Sequence, residues 1–346
     1  MNITIIKTLP SAEEIISSFP LSSDGHARIA RDRQEIKEIL SGKDTRLLVI
    51  VGPCSAWPYD AMVEYAKRLK RVSDQVINQL KIVLRLYIQK PRTTKGWTGP
   101  VNQPDPFTPP DIEKGIAYSR SLMVRAVEMG LPIADEAVFT HNARGFIELL
   151  SWVAIGARST EDQEHRIFAS AVDCPVGMKN PTSGRLDIAV NSIIAAQHGH
   201  TTVLNGCQVE TQGNDYAHLV LRGGFQSPNY GEESLRQAQT ILLEQKVRNP
   251  AVIIDASHDN CKVNGKKDYA QQLAVVRETL ALLKQKPEYK TIMKGFMLES
   301  FLKAGSQIVE QCTSETIDRD GLSITDPCLS WEQTEEVLFE MSRSVV

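Results

Sequence analysis

The sequence predicts a (β/α)8 barrel of the TIM class, with an N-terminal helical extension and a short β insertion near strand six. Short apolar segments alternate with amphipathic helical segments, which is typical of parallel β/α architecture. Eight such units occupy the roughly 300 residues after residue 45, enough to close one barrel. An open doubly wound sheet is the alternative.

The N-terminal extension comprises residues 1–45, and the barrel residues 46–346. A capping-box pattern from Ser11 to Glu14 predicts a helix start. The spacing of apolar residues over Ala27–Leu40 predicts a second helix, which ends at Gly42. Because both helices carry apolar residues, we expect them to need a partner surface.

The barrel elements follow in order. The predicted strands are Leu47–Val51, Ile82–Tyr87, Pro132–Glu136, Val153–Ala157, Pro175–Lys179, Leu219–Arg222, Ala251–Ala256 and Ile292–Leu298. The predicted helices are Ala61–Val72, Asp111–Met129, Ala143–Trp152, Thr160–Ala171, Leu186–Gln197, Glu232–Glu244 and Tyr269–Leu283, with a final helical tail beyond Trp331. Thr201–Tyr216 is polar, β-prone and glycine-containing, so it is interpreted as the β insertion.

Composition narrows the class of protein. Of 346 residues, 42% are hydrophobic and 23% charged, which is an ordinary globular balance. No segment has the 18 to 20 apolar residues of a membrane span, and the N-terminus lacks a signal pattern, so we expect a cytoplasmic protein without a membrane partner. The net charge of −3 argues against nucleic acid. Six well-separated cysteines are typical of free thiols.

Cationic residues follow several predicted strands. The carboxyl ends of barrel strands meet at one rim, where barrel enzymes place their active sites. Any one cation could be a solvated surface charge, but together they predict a site for carboxylate and phosphate groups, because like charges repel and a bound anion offsets them. The six residues are Arg85, Lys90, Arg92, Arg158, Lys179 and Arg222.

Four further residues, Cys54, His258, Glu299 and Asp326, also follow strands or lie in the loops after them. A thiolate, an imidazole and two carboxylates suit a divalent ion such as Mn, Fe, Co or Zn. Each residue also has a structural alternative: Cys54 could fill the core, His258 could be a satisfied polar residue, and Asp326 could cap the last helix. These residues alone leave both interpretations open.

Seven motifs fall in order along the chain. They are VGPCS at 51–55, KPRTTKGW at 90–97, IGAR at 155–158, CPVGMKN at 174–180, LRGG at 221–224, ASHDN at 256–260 and SITD at 323–326. Together they closely resemble the microbial type I 3-deoxy-D-arabino-heptulosonate 7-phosphate (DAHP) synthases. The related 3-deoxy-octulosonate 8-phosphate synthases share the barrel but lack KPRTT.

The resemblance implies a transferase that condenses phosphoenolpyruvate with erythrose 4-phosphate, the first step of the shikimate pathway to aromatic amino acids. It implies one divalent metal ion bound by Cys54, His258, Glu299 and Asp326, with Cys54 and His258 counted among the catalytic residues. Glu136 would position the attacking water, and Lys90 would donate a proton. The phosphoenolpyruvate ligands would be Arg85, Lys90, Arg158, Lys179, Arg222 and the backbone of Gly156 and Ala157; the aldose phosphate ligands would be Arg92 and Thr93.

The chain departs from the family pattern at several positions. Ala56-Trp57 replaces the usual Ile-His after GPCS, Gln89 replaces a common acid, and Asp135 replaces a common glycine. In the family, the N-terminal extension and the insertion often build a subunit interface and a pocket for an aromatic amino acid. The insertion looks shortened and rewritten here, so we expect a homodimer or homotetramer in which feedback inhibition is weak or absent.

Two other functions compete with this one. The same chemistry on a different aldose phosphate, serving a secondary pathway, is suggested by the changes at Gln89, Ala56 and Trp57. A non-catalytic barrel that binds a phosphorylated ligand or a chorismate mutase partner is the second, and no feature of the sequence supports such a partner. The complete metal and cation sets argue against a binding protein.

Overall fold

A computed structural model describes residues 2–92, 95–138, 144–204 and 206–345. Within these ranges, eight parallel strands close into a barrel in chain order, as predicted. They are β1 (Leu47–Gly52), β2 (Leu80–Arg85), β3 (Ile133–Glu136), β4 (Trp152–Ile155), β5 (Val176–Lys179), β8 (Ala217–Leu221), β9 (Val252–Asp255) and β12 (Met293–Glu299).

Helices cover the outside of the barrel. They are α3 (Tyr59–Gln75), α4 (Ile112–Glu128), α5 (Gln163–Ala171), α6 (Leu186–Gln197), α7 (Glu232–Glu244), α8 (Gln271–Gln285) and α9 (Trp331–Ser344). In β1, Val49 and Val51 pack outward against the helices, whereas Leu48 and Ile50 belong to the inner core. This alternation follows from the period of two in a β-strand. No helix in the described ranges is both long and apolar enough to cross a membrane.

The N-terminal extension contributes α1 (Ala12–Ser18) and α2 (Ser23–Ser41). The capping box at Ser11 is present, and Gly42 ends α2 with a left-handed φ of 78°. Ile36, Ile39 and Leu40 of α2 pack in the same cluster as the residues that fill the barrel interior. The amino end of the barrel is therefore closed by α2, which supplies the partner surface that its apolar residues require.

The β insertion is a two-stranded antiparallel hairpin, β6 (Thr201–Leu204) and β7 (Cys207–Glu210), so the predicted exception to the β/α repeat is confirmed. Asn205, between these strands in the sequence, lies outside the described residues. A second small hairpin, β10 (Lys262–Val263) and β11 (Lys266–Lys267), follows β9 and was not predicted.

The predicted helix over Ala143–Trp152 is wrong. Ala143 lies outside the described residues; beyond it a single 3-10 turn covers Ile147–Leu149, and β4 begins at Trp152. Gly145 has a φ of 87°, which is incompatible with a right-handed helix. The apolar residues that suggested a helix instead fill space under the loop, where Leu149 and Leu150 are buried.

Candidate active site

Four of the six predicted cations are buried together at the carboxyl end of the barrel. Arg85 is fully buried, and Lys90, Lys179 and Arg222 are between 2% and 8% exposed. Each lies at or just beyond the end of a strand, β2, β5 or β8, so the parallel barrel brings distant residues to one centre. A buried charge is costly unless it is paired. These residues therefore require partners.

Acidic side chains provide part of that pairing, which corrects the expectation that only a bound anion offsets the cations. Nη2 of Arg85 lies 2.9 Å from Oε1 of Glu299, and Nζ of Lys179 lies 3.3 Å from Oδ2 of Asp255. Arg222 forms a close ion pair with Asp259. Yet Nε of Arg85 and Nε of Arg222 are buried without a hydrogen-bond acceptor among the described residues. Both guanidinium groups can therefore still donate hydrogen bonds to an anion.

Tyr87 joins three of these cations. The guanidinium of Arg85 lies 3.8 Å from its ring centroid, and Nζ of Lys90 and of Lys179 lie at 5.6 and 6.0 Å. Burial raises the pKa of the Tyr87 phenol well above its ordinary value, so the ring stays neutral. Its electron-rich face therefore stabilises the cations without supplying an anion. Tyr87 is two residues from Arg85, the strand spacing that puts both on one face.

The other two predicted cations differ. Arg158 and Arg92 are exposed at the rim, beyond the buried group. Nε of Arg92 donates to the carbonyl of Trp97 at 2.7 Å, which holds one edge of its guanidinium. Thr93, also predicted to bind the aldose phosphate, lies outside the described residues.

Three predicted metal ligands come together. One donor atom each from Cys54, Glu299 and Asp326 lies within 4.8 Å of the other two. Tetrahedral ligands at about 2.0 to 2.3 Å from one ion are separated by roughly 3.3 to 3.8 Å, so a small inward shift of this group would suit a shared ion. Oε1 of Glu299 is buried and is paired with Nη2 of Arg85 at 2.9 Å, but it accepts no hydrogen bond among the described residues, so it can still serve as a ligand oxygen. The thiol and carboxylates suit the borderline divalent ions.

His258 lies beside this group but outside its close spacing. Its Nε2 is 3.9 Å from Oε1 of Glu299, while its Nδ1 lies 2.9 Å from Oδ2 of Asp255 and 2.7 Å from Oγ of Ser257. His258 has a left-handed φ of 57°, a conformation that costs about 1 kcal/mol or more in a residue with a side chain. Burial lowers the pKa of His258, so the neutral imidazole, the form that binds metals, is favoured.

The charges around the donor group favour anionic carboxylates and a protonated thiol. Burial opposes ionisation of Glu299, but Arg85 holds its pKa below the ordinary value. Burial likewise opposes ionisation of Asp326, whose pKa is lowered by a close ion pair with Lys267. Burial and then Glu299 raise the pKa of the Cys54 thiol. A bound cation would reverse this preference and favour the thiolate.

Lys90 connects the two halves of the site. Its Nζ donates to the carbonyl oxygen of Cys54 at 2.6 Å and to the Cys54 sulfur at 3.1 Å. The ammonium is therefore held next to the donor group while it also faces the Tyr87 ring. A proton carried at this atom lies beside any oxygen that the donor group would hold.

Glu136 ends β3 and is buried against β4 and β5. Its Oε2 lies 3.8 Å from Nζ of Lys179. Its other carboxylate oxygen occupies the place of a side chain at Gly156, since a Cβ there would come within 2.3 Å of Oε1. Glycine in the IGAR motif thus leaves this carboxylate in its place beside Lys179. The adjoining Ala157 is partly exposed.

Two departures from the family pattern, Gln89 and Asp135, line the same small cavity of about 30 Å³. Oδ1 of Asp135 accepts hydrogen bonds from the backbone N–H of Ile88 at 3.1 Å and of Glu136 at 2.8 Å. Burial raises the pKa of Asp135 to about 8. Asp135 thus ties the strand that carries Glu136 to the segment before Lys90.

Sequence reasoning missed Asp255, Asp259 and Tyr87. Asp255 stands inside an apolar strand pattern, yet its position three residues before His258 is a usable signal. Asp259 directly follows His258 within a motif already identified. The rule that buried cations need partners would have directed attention to both acids.

These features define a class of protein: a (β/α)8 barrel with an anion-binding centre beside a group of metal-type donors, at the end where barrel enzymes place active sites. Comparison with known proteins is more specific. The sequence matches the DAHP synthetase I family over residues 21–339, and the chain belongs to this family, which confirms the resemblance. The predicted enzyme class is confirmed with it.

Individual relatives agree. The Tyr-sensitive phospho-2-dehydro-3-deoxyheptonate aldolase of Escherichia coli K12 is 39% identical, covering 100% of this chain and 95% of the relative. The Trp-sensitive enzyme of the same organism is 37% identical, with 98% and 96% covered. The solved structure of phospho-2-dehydro-3-deoxyheptonate aldolase from Francisella tularensis SCHU S4 matches with a TM-score of 0.92 at 34% identity, covering 99% and 98%.

Proposed function

We propose that this chain condenses phosphoenolpyruvate with erythrose 4-phosphate to give DAHP and inorganic phosphate. The contact that carries the proposal is between Arg85 and Glu299, at 2.9 Å, because it joins a buried anion-binding group to the metal-type donors. A reaction between a phosphorylated enol and an aldehyde needs both kinds of group within a few ångströms. Family membership supports the same substrates.

Arg85, Lys90, Lys179 and Arg222 hold the phosphoenolpyruvate carboxylate and phosphate in this proposal. The free guanidinium capacity of Arg85 and Arg222 supports it. The backbone of Gly156 and Ala157, together with Arg158, completes this set at the rim. The acidic partners keep the buried cations paired until an anion enters.

The erythrose phosphate is assigned to the rim, where Arg92 and Thr93 bind its phosphate. The exposure of Arg92 supports this, because the second substrate then has access from solvent. Its aldehyde end points inward, toward Cys54 and Lys90.

Cys54, His258, Glu299 and Asp326 hold one divalent ion, of the Mn, Fe, Co or Zn type. The bound ion supplies Lewis-acid chemistry that polarises the aldehyde oxygen. The buried Glu299 oxygen, which pairs with Arg85 but accepts no hydrogen bond among the described residues, supports this assignment. His258 requires only a modest shift, since its Nε2 is 3.9 Å from that oxygen.

Lys90 and Glu136 carry the proton and water steps. As C3 of the enol attacks the aldehyde carbon, Lys90 gives a proton to the new hydroxyl oxygen, because its Nζ is held beside Cys54. Glu136 positions the water that adds at C2, and the phosphate then leaves from C2. The 3.8 Å separation of Glu136 from Lys179 places this carboxylate next to the phosphoenolpyruvate cations.

The other expectations stay predictions. These are a homodimer or homotetramer, the interface or regulatory role of residues 1–45, weak or absent feedback inhibition and a cytoplasmic location. A chorismate mutase partner has no support.

The test is release of inorganic phosphate by protein reconstituted with Mn²⁺, with each substrate alone and with both. Release should require both substrates, stop after chelation, and favour erythrose 4-phosphate over arabinose 5-phosphate in kcat/KM. Cys54→Ala should reduce kcat/KM by at least about 100-fold, because losing a metal ligand costs more than losing one of its supporting residues. Release from phosphoenolpyruvate alone, or a preference for the five-carbon sugar, would contradict the proposal.

A further inference from the structure

A third apolar cluster lies at the carboxyl end of the barrel, separate from the two that fill and surround the strands. It consists of Trp57, Trp97, Ile317 and Ile324, all between 2% and 7% exposed, and is called the top cluster below. Trp57 replaces the usual histidine of the family pattern. Large buried aromatic groups contribute strongly to the order of the segments they join.

The top cluster joins three loops, and each loop carries a proposed site residue. Trp57 is three residues after Cys54, and Ile324 is two residues before Asp326. Trp97 closes the segment that begins at Lys90, whose backbone N–H donates to the carbonyl of Thr98 at 2.9 Å. The metal-type donors and the rim segment are thus connected by one packed group.

Polar contacts support the same connection. The guanidinium of Arg319 lies 5.2 Å from the Trp57 ring centroid, and its Nη2 is 3.1 Å from Oδ2 of Asp105. Nε1 of Trp97 donates to the carbonyl of Gln103 at 2.7 Å, so Trp97 holds the segment that leads to Asp105. The loop that carries Arg319 therefore contacts both Trp57 and the segment that follows Trp97.

Two more contacts fix the loop after β1. Oγ of Ser55 lies 3.1 Å from Oγ1 of Thr325, which is adjacent to Asp326. Oη of Tyr118 donates to the carbonyl of Ala56 at 2.9 Å. The backbone from Cys54 to Trp57 is consequently held from both sides, and Trp57 is its largest packed side chain.

We propose that Trp57 is a positioning residue that couples the metal centre to the aldose phosphate end of the site; this rests on the proposed function above. Packed side chains transmit displacement, because interiors have few voids. A change in the Cys54 and Asp326 loops therefore reaches Trp97 through the top cluster, and Lys90 and Arg92 through their hydrogen bonds to Thr98 and Trp97. By linkage, the metal ion and the second substrate favour the same arrangement of the three loops.

The phosphoenolpyruvate cations provide an internal contrast. Of the four buried cations assigned to phosphoenolpyruvate, Lys90 lies in the coupled segment, whereas Arg85, Lys179 and Arg222 are held by acidic partners on other strands or in the loops after them rather than by the top cluster. A variant that loosens the packing around Trp57 should therefore weaken the binding of the metal ion and of erythrose 4-phosphate much more than that of phosphoenolpyruvate. A merely structural residue would affect all three alike.

The experiment compares Trp57→Ala, Trp57→Phe and wild type. Mn²⁺ affinity is measured by calorimetry on the metal-free protein without substrate, and KM is then measured for each substrate. For Trp57→Ala we expect about a 10-fold weaker Mn²⁺ Kd, within the range seen when support of a metal ligand is lost. KM for erythrose 4-phosphate should rise about as much, and KM for phosphoenolpyruvate less than twofold. Trp57→Phe should restore most of both values.

Two controls separate positioning from general destabilisation. Met341→Ala removes a buried apolar side chain from α9 and should lower Tm without changing Mn²⁺ affinity or either KM. Arg319→Gln breaks the contacts with Trp57 and Asp105 without opening a cavity in the top cluster. It should shift Mn²⁺ affinity and the erythrose 4-phosphate KM two- to threefold in the same direction, even if Trp57→Ala does not fold.

Values within twofold of wild type for both Trp57→Ala and Arg319→Gln, or an equal rise in both KM values, would overturn the proposal. Wild type that binds Mn²⁺ but does not condense the two substrates would contradict only the proposed function. In that case the Mn²⁺ affinities alone decide the positioning role.

Discussion

The two ends of the barrel bury charge in different ways. At the amino end, Lys81 of β2 pairs with Asp32 of α2 at 2.6 Å and with Glu35 at 3.0 Å, beside the apolar residues of the helix that closes the barrel. At the carboxyl end, Arg85 and Lys179 are buried at least as deeply. There, nitrogen and oxygen atoms remain without hydrogen bonds among the described residues.

The difference shows what each end is built for. At the amino end, Lys81 has two acids at hydrogen-bond distance, which offset its buried charge and attach α2 to the barrel. At the carboxyl end, several cations and acids have incomplete hydrogen bonding, so they can still bind a substrate or a metal ion. Substitutions at the amino end should therefore change stability, whereas those at the carboxyl end should change binding and catalysis.

Asp255→Asn should have the largest effect among the variants that sharpen this contrast. The amide cannot provide the charge that faces both His258 and Lys179. Mn²⁺ affinity and kcat/KM should each fall about 10- to 100-fold, as for other residues that orient a metal-binding histidine. Calorimetry and initial rates measure the two quantities. Ser257→Ala, which removes a weaker contact, is the matched control; equal losses in both variants would contradict the role of the carboxylate.

Asp32→Asn tests the amino end. Loss of one partner leaves Lys81 less well paired in a buried position, so the free energy of unfolding should fall by roughly 1 to 3 kcal/mol. Urea denaturation measures this change. KM for both substrates should stay within twofold of wild type. A changed KM with unchanged stability would break the proposed division between the two ends.

Asp135→Asn tests a buried acid at the carboxyl end through pH. Because burial raises the folded-state pKa of Asp135 to about 8, above its unfolded value, its contribution to stability is present at low pH and is lost as pH rises toward 8. The Tm of Asp135→Asn relative to wild type should therefore increase from pH 5 to pH 8. The asparagine oxygen can still accept from Ile88 and Glu136. A pH-independent difference in Tm would contradict the raised pKa.

The smallest expected effect concerns regulation by aromatic amino acids. Phenylalanine, tyrosine or tryptophan at millimolar concentration should change initial rates less than twofold, because the β6–β7 insertion is short and rewritten. Relatives named Tyr-sensitive and Trp-sensitive provide positive controls. Strong inhibition by any one amino acid would refute this prediction and give the N-terminal region a regulatory role.

Much of the fold could be predicted because it depends on local pattern. Strand β1 and helix α6 match their predicted spans closely, since apolar periodicity and flanking turn residues are encoded locally. The loop after β3 could not be predicted in this way. Its apolar residues have helical spacing, but Gly145 and the short connection to β4 allow only one 3-10 turn.

The sequence indicated which types of residue form the site, but it did not indicate which of them contact each other. Arg85 and Glu299 are more than 200 residues apart in sequence, and only barrel closure between β1 and β12 brings their strand ends close. Asp255 was hidden within an apolar strand for a similar reason, because its partner Lys179 lies in a different strand. The exposed positions of Arg92 and Arg158 likewise depend on loop paths, which periodicity does not determine.

The contact between Gly156 and Glu136 has a consequence for evolution and design. A side chain at residue 156 would push the carboxylate of residue 136 out of its present position, so a substitution at either residue changes the space available to the other. A lineage that shortens Glu136 would gain freedom at residue 156, whereas a substitution at residue 156 alone would move the carboxylate that faces Lys179. Mutational libraries that vary one of the two positions at a time would therefore miss functional combinations that libraries varying both positions together retain.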